Sequence, residues 1–209
     1  MKSKNLQKKI KRLFDIIFSM IILILSSPFV LLTMLIIKIN SPESSVIFKQ
    51  ERSGYKCKKF VIYKLRTMTS QTDKYGNLLS DKDRLKFWGK VIRKTNIDEI
   101  PQMINVLKGD MSLIGPRPVL TTDVEKFNNY QLKRQEILPG ISGWEAVNEW
   151  KTPTWDKKFE FDIYYVENFS LWLDIKIFFK TIYVVLFAKR PNEEFRPGRF
   201  EGNIEEVKK

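Results

Sequence analysis

Residues 16–37 read IIFSMIILILSSPFVLLTMLII and contain no charged side chain, so they are long and apolar enough to lie in a membrane. At ~1.5 Å per residue, a straight helix of this length spans roughly 33 Å, close to the hydrocarbon thickness of one bilayer. Ser26-Ser27-Pro28 stands at the centre, where proline removes a backbone donor and bends a helix. Two structures are therefore weighed: a single transmembrane anchor, and a re-entrant helix-break-helix with its hinge at Ser27 and Pro28.

The charge on either side of this segment favours the re-entrant form. Residues 1–12 hold six basic side chains and no acidic one, and more Lys and Arg side chains follow between residues 38 and 59. Because positive flanks tend to stay on the cytoplasmic face of a membrane, both ends of the segment are expected there. The serine hydroxyls beside Pro28 can satisfy the carbonyl groups that a bend frees inside lipid. We therefore expect a monotopic membrane protein in contact with anionic lipid.

The composition of the 209-residue chain limits its chemistry. A net charge of +13 favours a phosphate-bearing partner, which leaves nucleic acid, anionic lipid and a phosphorylated substrate open. The absence of histidine excludes Ser-His-Asp and Cys-His nucleophiles and every zinc site that needs imidazole. Cys57 is the only cysteine, so an intrachain disulfide and a thiolate metal cluster are excluded. Carboxylates, Lys, Arg, hydroxyls and a hard metal ion remain.

The chain divides into three parts by composition. Residues 1–39 form the membrane helix with its basic leader, residues 40–190 form one larger domain, and residues 191–209, rich in Pro, Glu and Lys, are expected to be a flexible tail. Within the larger domain, β-prone runs at Ser45–Lys49 and Lys59–Lys64 flank Ser53-Gly54 and predict a small β-hairpin.

Two further segments follow helical patterns, so the expected fold class is α+β and mostly helical. Asp81–Thr95 indicates either a surface helix packed on a core or an amphipathic helix in the lipid headgroup plane. Phe169–Phe187 is apolar but contains three charged residues, so an interfacial or core helix is expected rather than a membrane span. The predicted apolar stripe of the first segment consists of Leu85, Trp88, Val91 and Ile92.

The stretch most informative about chemistry is Asn96–Pro118, NIDEIPQMINVLKGDMSLIGPRP. Asn96 or Asp98 is suited to cap a helix that Gly109 ends. Asp98 and Glu99 would then lie at a helix amino terminus, where the macrodipole keeps carboxylates ionised and attracts phosphate. Acidic first turns are also common in helices that bind nothing. The predicted buried stripe of this helix is Ile100, Met103, Ile104 and Leu107.

Arg117 stands between Pro116 and Pro118. Because prolines fix the backbone on both sides, the guanidinium is preset to bind a phosphate with two N–H groups. Gly115 permits a sharp turn or the close approach of a ligand to the backbone. Pro-Arg-Pro alone is weak evidence, so its meaning depends on the motifs around it.

Together, these motifs identify a family. The chain resembles the bacterial sugar transferases, the monotopic polyprenyl-phosphate phosphoglycosyl transferases, over nearly everything up to about Arg190. The Ser27-Pro28 pair matches the family's break in the membrane helix. The other matching motifs are Arg12–Asp15, Val46–Gln50, Tyr63–Met68, Asp98–Gln102, Asn105–Ser112, Gly115–Pro118, Pro139–Trp144 and Phe161–Tyr165.

The resemblance implies a covalent mechanism on the cytoplasmic face of the bacterial inner membrane, with residues 40–190 as the catalytic domain. Asp98 would attack the β-phosphate of a UDP-sugar, release UMP, and carry the sugar phosphate until undecaprenyl phosphate accepts it. Glu99 is expected to assist, by orienting a metal or by deprotonating the lipid phosphate. Mg²⁺ is the implied cofactor, with Asp98 as its ligand. The candidate phosphate-binding residues are Arg117, Arg93 and Arg66, with Pro116 and Pro118 beside the first of them.

One motif departs from the family pattern. The family usually reads Gly-Trp-Ala-Gln-Val-Asn-Gly-Arg, whereas residues 143–150 read GWEAVNEW. Ala146 and Trp150 replace the usual glutamine and the terminal arginine. If that arginine contacts a substrate phosphate in the family, another cation substitutes here or the substrate differs.

Two other functions are weighed against the enzyme. A non-enzymatic membrane scaffold would explain the basic charge and the apolar helices, but not the grouping of Asp98 and Glu99 with Arg117. Nucleic-acid binding rests on charge alone, so no nucleic-acid partner is expected. The sequence leaves open which sugar is transferred, which glycoconjugate pathway the protein serves (capsule, exopolysaccharide, O-antigen or glycoprotein), and whether it forms a homo-oligomer.

Overall fold

The amino-terminal apolar segment forms one helix, α1 (Lys2–Asn40), in a computed structural model that describes residues 2–148, 154–187 and 198–202. Pro28 lies inside α1 and the helix continues past it. Proline cannot donate to the carbonyl of Ile24, four residues earlier, but the Ser27 hydroxyl donates to that carbonyl at 2.8 Å. The expected interruption of the helix at Ser27 and Pro28 is therefore wrong, because α1 continues through both residues. The re-entrant course through a bilayer stays a prediction.

The rest of the protein contacts α1 at its two ends rather than along its middle. Asp15 and Ser19 are buried near one end and Ile37 near the other, whereas none of residues 20–32 is buried. Among the residues that the structure describes, α1 is the one helix long and apolar enough to cross a membrane. Its middle therefore presents an apolar surface that no described part of the chain covers.

The predicted hairpin is confirmed. Strands β1 (Ile47–Ser53) and β2 (Lys59–Leu65) pair antiparallel, with Ile47 opposite Leu65. A short 3-10 turn at Tyr55–Cys57 lies between the strands. Phe60 and Ile62 of β2 are buried in a core cluster, so one face of the hairpin packs on the domain.

The segment Asp81–Thr95 forms two helices instead of one, α2 (Asp81–Arg84) and α3 (Phe87–Thr95). Leu85 and Ile92 of the predicted stripe are buried, and Trp88 packs beside Ile92. Val91 is 46% exposed and does not belong to the buried face of α3, which contains Gly89 and Ile92. Val91 and the exposed Phe87 form an apolar surface on α3, whose contact with lipid headgroups stays a prediction.

The remaining elements assemble around a second, parallel strand pair. The helices are α4 (Gln102–Lys108), α5 (Thr121–Val124), α6 (Asn129–Leu132), α7 (Trp144–Asn148), α8 (Trp155–Glu167) and α9 (Leu171–Phe187). The strands β3 (Ser112–Ile114) and β4 (Gly140–Ser142) pair in parallel. Helix α9 buries Leu173 and Ile177 and exposes Trp172 and Phe187, so it is a core helix with an apolar outer face. The sequence pattern predicts this helix and is compatible with either a core or an interfacial position.

Gly115 follows β3 and lies against the segment that leads into β4. A Cβ atom at Gly115 would stand 2.4 Å from the carbonyl oxygen of Leu138, which leaves room for glycine alone. The group that approaches Gly115 is the protein's own backbone, whereas the close approach of a ligand stays a prediction. This contact fixes the start of the Pro116-Arg117-Pro118 segment.

Part of the predicted tail belongs to the domain. Phe200 is 4% exposed and packs against Phe127 and Phe159. Within residues 191–209 the structure describes 198–202, and the others lie outside the described residues. The aromatic ring of Phe200, in an otherwise polar segment, explains why this part of the chain is buried.

Candidate active site

Asp98 and Glu99 lie in a short 3-10 turn, Ile97–Glu99, that precedes α4. The expected position in the first turn of the helix is therefore wrong, because α4 begins only at Gln102 with Pro101 in the N-cap position. Asn96 has a left-handed backbone (φ 59°) and ends α3 instead of capping α4. A three-residue turn has no appreciable macrodipole, so the charges around the two carboxylates must come from side chains.

The carboxyl end of α4 agrees with the sequence, whereas its buried face does not. Gly109 ends the helix with φ 90°, as predicted. Met103 is buried, but Ile104 is 41% exposed, and Asn105 is fully buried instead. The Asn105 amide donates to the carbonyl of Val61 at 2.7 Å and its oxygen accepts from the amide N–H of Tyr63 at 3.1 Å. These bonds attach α4 to β2 and so fix the turn with Asp98 relative to the hairpin.

Glu99 is held between two cations. Its Oε1 atom accepts from Lys64 Nζ at 2.8 Å and from Arg117 Nη2 at 2.7 Å. Burial acts to raise the pKa of Glu99, but the charges and hydrogen bonds of Arg117 and Lys64 outweigh it and hold the pKa well below the ordinary glutamate range. Glu99 is therefore ionised near neutral pH and holds both cations in position.

Asp98 is in a different state from its neighbour. Within the described part of the chain, no side chain donates a hydrogen bond to its carboxylate and no ion pair reaches it. Burial and the charge of Glu99 raise the pKa of Asp98, and Lys64 and Arg93 offset part of this effect. Asp98 is thus the more basic carboxylate and the one that is available to a ligand.

The backbone of Arg117 is fixed from behind. Pro116 and Pro118 are buried, and Arg134 donates from Nη2 to the Arg117 carbonyl at 2.8 Å. Arg134 in turn pairs with Asp162 at 2.6 Å, and both side chains are 4% exposed. The buried ion pair therefore holds the backbone of Arg117. The Arg117 side chain itself is half exposed, so the N–H groups that do not bind Glu99 can reach a ligand.

The other two predicted arginines differ in their positions. Arg93 donates from Nε to the hydroxyl of Thr67 at 2.9 Å, and its charge acts on Asp98. Arg66 donates to the carbonyl of Ser45 at 2.6 Å and lies over the ring of Phe48. The structure therefore brings Arg93 and Arg117 to the two carboxylates, whereas Arg66 contacts Ser45, Ser70 and Phe48 instead.

Lys64 is the site residue that the sequence analysis missed. It was quoted only as part of the Tyr63–Met68 motif, although Phe60, Ile62 and Lys64 share one face of β2 by the two-residue period of a strand. A lysine that continues a buried face has to meet a partner there. Burial and the charge of Arg117 lower its pKa, while Glu99 acts to raise it. Arg134 and Asp162 were missed as well, because contacts between distant segments leave no local pattern.

A cleft of about 250 Å³ opens beside Arg117. Its polar walls are strongly charged, and the ring of Trp155 forms an apolar part of its lining. The charged residues lining it are Arg52, Arg117, Asp123, Arg134, Glu145, Lys158, Asp162 and Arg199. Glu145 belongs to the motif that departs from the family pattern; Glu149 and Trp150 of that motif lie outside the described residues.

The side chains suit a magnesium ion that a phosphorylated ligand helps to bind. Among the described residues, no group of three or more acidic or thiol side chains could form a complete cation site. Mg²⁺ commonly binds one or two carboxylates and completes its coordination with phosphate oxygens and water. Asp98 is the free carboxylate that fits this pattern, whereas Glu99 is already occupied by Lys64 and Arg117.

Comparison with known proteins identifies the family of the chain. The family model described as "Bacterial sugar transferase" matches residues 6–188. A sugar transferase of Bacillus subtilis, itself uncharacterised, is 46% identical over 182 residues, which cover 86% of this chain and 89% of the relative. A UDP-N-acetylgalactosamine-undecaprenyl-phosphate N-acetylgalactosaminephosphotransferase of Aeromonas hydrophila is 46% identical over 85% of this chain and 44% of its own length. A UDP-glucose:undecaprenyl-phosphate glucose-1-phosphate transferase of Escherichia coli is 37% identical over 86% of this chain and 40% of its own length. The chain thus spans less than half of the latter two relatives.

Proposed function

The chain belongs to the bacterial sugar transferase family, and on that premise we propose that it transfers a sugar 1-phosphate from a UDP-sugar to undecaprenyl phosphate. The products are undecaprenyl-diphosphate-sugar and UMP. The names of the Aeromonas and Escherichia relatives support the donor and acceptor classes. The reaction would be the first membrane step in the synthesis of a bacterial glycoconjugate.

The difference between the two adjacent carboxylates carries this proposal. Asp98 is basic and uncommitted, whereas Glu99 is ionised and engaged by two cations. In the first step an Asp98 oxygen bonds to the β-phosphorus of the donor, the bond from that phosphorus to the bridging oxygen breaks, and UMP leaves with the electron pair. In the second step an oxygen of undecaprenyl phosphate bonds to the same phosphorus and the Asp98 carboxylate is released.

The cations near Asp98 offset the charge repulsion that opposes this reaction. A carboxylate that approaches a diphosphate meets repulsion between like charges, and catalysis of phosphoryl transfer consists largely of positioning and of neutralising that charge. Arg117 is fixed through Arg134 and Glu99, and Lys64 is fixed through Glu99. We assign both side chains, with Arg93, to the phosphate groups of the donor.

Glu99 is assigned to orientation rather than to proton transfer. A general base works best with a pKa near the operating pH, and the pKa of Glu99 lies far below that range. Mg²⁺, when bound by Asp98 and the donor's phosphate oxygens, would neutralise further charge on the diphosphate. The acceptor already carries an ionised phosphate at neutral pH, so its attack requires no base in this proposal.

The location of the acceptor explains the apolar surfaces. A polyprenyl chain stays in the bilayer, so the reacting carboxylate has to lie at its surface. The exposed apolar middle of α1 and the outer faces of α3 and α9 give the protein three surfaces suited to lipid. We therefore place the catalytic domain on the cytoplasmic face of the inner membrane, with α1 as its anchor.

The test is UMP release by the full chain in detergent or nanodiscs. With undecaprenyl phosphate, Mg²⁺ and a panel of UDP-sugars, UMP is expected from at least one donor. Removing Mg²⁺ with EDTA should reduce the rate to background, because the diphosphate then keeps its full charge. Added Mg²⁺ should restore it.

Two results would contradict the proposal. One is the absence of UMP from every donor in folded protein. The other is a full rate in the presence of EDTA, which would show that the reaction does not need the metal. A basic membrane scaffold predicts the first of these results and offers no reason for the fixed arrangement around Glu99.

A further inference from the structure

Two charged side chains line the cleft beside Arg117, and neither has an ionic partner among the described residues. Glu145 lies on α7 and Lys158 on α8, and both line the cleft. Among the described residues, neither forms an ion pair within 4.0 Å, although the charge of each acts on the other. The Lys158 ammonium lies 4.9 Å from the centre of the Trp155 ring.

The surroundings of both groups are those of a binding site. Burial raises the pKa of Glu145, and burial lowers the pKa of Lys158, so each group lacks full compensation of its charge. Partly buried charges without close partners are costly for a protein, and in clefts they commonly serve ligand binding. A ligand with a hydrogen-bond donor toward Glu145, an acceptor toward Lys158 and an apolar face toward Trp155 would satisfy all three. A pyranose ring offers hydroxyls in both roles and a face of C–H groups.

The position of the cleft connects it to the sugar of the donor. Arg117 both contacts Glu99 and lines the cleft, so a donor whose β-phosphate lies on Arg117 can extend its sugar, which is bonded to that phosphate, toward Glu145. The Aeromonas and Escherichia relatives share UDP in their names and differ in the sugar, N-acetylgalactosamine in one and glucose in the other.

We propose that Glu145, with Lys158 opposite it, determines which sugar of the UDP-sugar donor this chain accepts. The inference rests on the proposed function and adds a residue-level basis for its choice of substrate. Glu145 accepts a hydrogen bond from a sugar hydroxyl or amide N–H, and Lys158 donates one to a sugar oxygen. Both are specificity-determining contacts that take no part in the bond changes at Asp98.

The experiment compares kcat/KM for UMP release across UDP-glucose, UDP-galactose, UDP-N-acetylglucosamine and UDP-N-acetylgalactosamine. Glu145→Ala should lower the value for the wild type's preferred sugar by about 10-fold or more and the value for its poorest sugar by less than about 3-fold, because a site built for a polar group discriminates through that contact. Lys158→Met should likewise reduce the differences in kcat/KM among the four sugars. Inhibition by UMP should change by less than about 2-fold, since UMP carries no sugar at this position.

Matched variants separate specificity from stability. Glu160→Ala removes an exposed carboxylate from α8 and should leave the ranking unchanged. Glu145→Gln keeps the size of the side chain, so its ranking decides the question if Glu145→Ala fails to fold in a thermal unfolding control. Equal losses for all four sugars with weakened UMP inhibition would assign the cleft to the nucleoside and overturn the inference. An unchanged ranking would overturn it as well. If the wild type releases no UMP from any donor, the proposed function itself is contradicted. If the wild type turns over and the variants keep its ranking of sugars, only the present inference is contradicted.

Discussion

Replacement of Asp98 by asparagine is expected to lower UMP release by on the order of 10⁴-fold or more, the loss typical of removing a covalent nucleophile. The amide is nearly the same size as the carboxylate, but its oxygen is a poor nucleophile toward phosphorus. No side chain among the described residues donates a hydrogen bond to Asp98, so the substitution should leave the fold intact. Asp83→Asn, an exposed aspartate on α2, is the matched control and should retain wild-type turnover. Substantial UMP release by clean Asp98→Asn protein would contradict the role of this residue.

The pH dependence of the wild type follows from the same carboxylate. Only the ionised form of Asp98 attacks, and burial together with the charge of Glu99 raises its pKa. As the pH falls, the ionised form is therefore lost at a higher pH than for an ordinary aspartate, whose pKa is 3.8. The acid limb of kcat/KM should lie above that value. Glu99, whose pKa is held far lower, should not contribute to it.

The second large effect is expected for Arg117→Lys, which should lower kcat/KM by about 10²- to 10³-fold, the range seen when one preorganised donor to a reacting oxyanion is removed. Lysine keeps the positive charge but loses the planar fork, which binds Glu99 through Nη2 and leaves other N–H groups for the proposed phosphate contact. The loss is therefore expected in catalysis rather than in folding.

Arg66→Lys is the control that the structure provides for this variant. Arg66 was also a candidate by sequence, but it donates to the Ser45 carbonyl and lies over the ring of Phe48. Its substitution should change kcat/KM by less than about 3-fold, as expected for a surface cation. Equal losses in both variants, or none in Arg117→Lys, would contradict the assigned phosphate site.

The sequence predicted the elements that depend on local pattern. The hairpin around Gly54 and the end of α4 at Gly109 follow from strand propensity and from backbone rules for glycine. The grouping of Asp98, Glu99 and Arg117 was expected from the motifs, and the structure agrees through the ion pair of Glu99 with Arg117.

The parts that failed depend on competition between local signals or on contacts between distant segments. Asn96 can cap a helix start or adopt the left-handed conformation that ends one, and it does the latter. At Pro28 the sequence predicted a break, but the Ser27 hydroxyl replaces the lost hydrogen bond. The parallel pair of β3 and β4 has three residues in each strand and joins segments far apart in the chain, so no local pattern marks it. Lys64 pairs with Glu99, which lies 35 residues later in the chain, so its role in the site also depends on a contact between distant segments.

The most direct measurement of the central claim is mass spectrometry of the full chain after incubation with UDP-sugar and Mg²⁺ in the absence of acceptor. A peptide that contains Asp98 should gain the mass of one sugar phosphate, and undecaprenyl phosphate added afterwards should remove it. Protein that turns over at the normal rate without any such adduct, or that carries the adduct on another residue, would contradict the proposal that the Asp98 carboxylate forms the covalent intermediate.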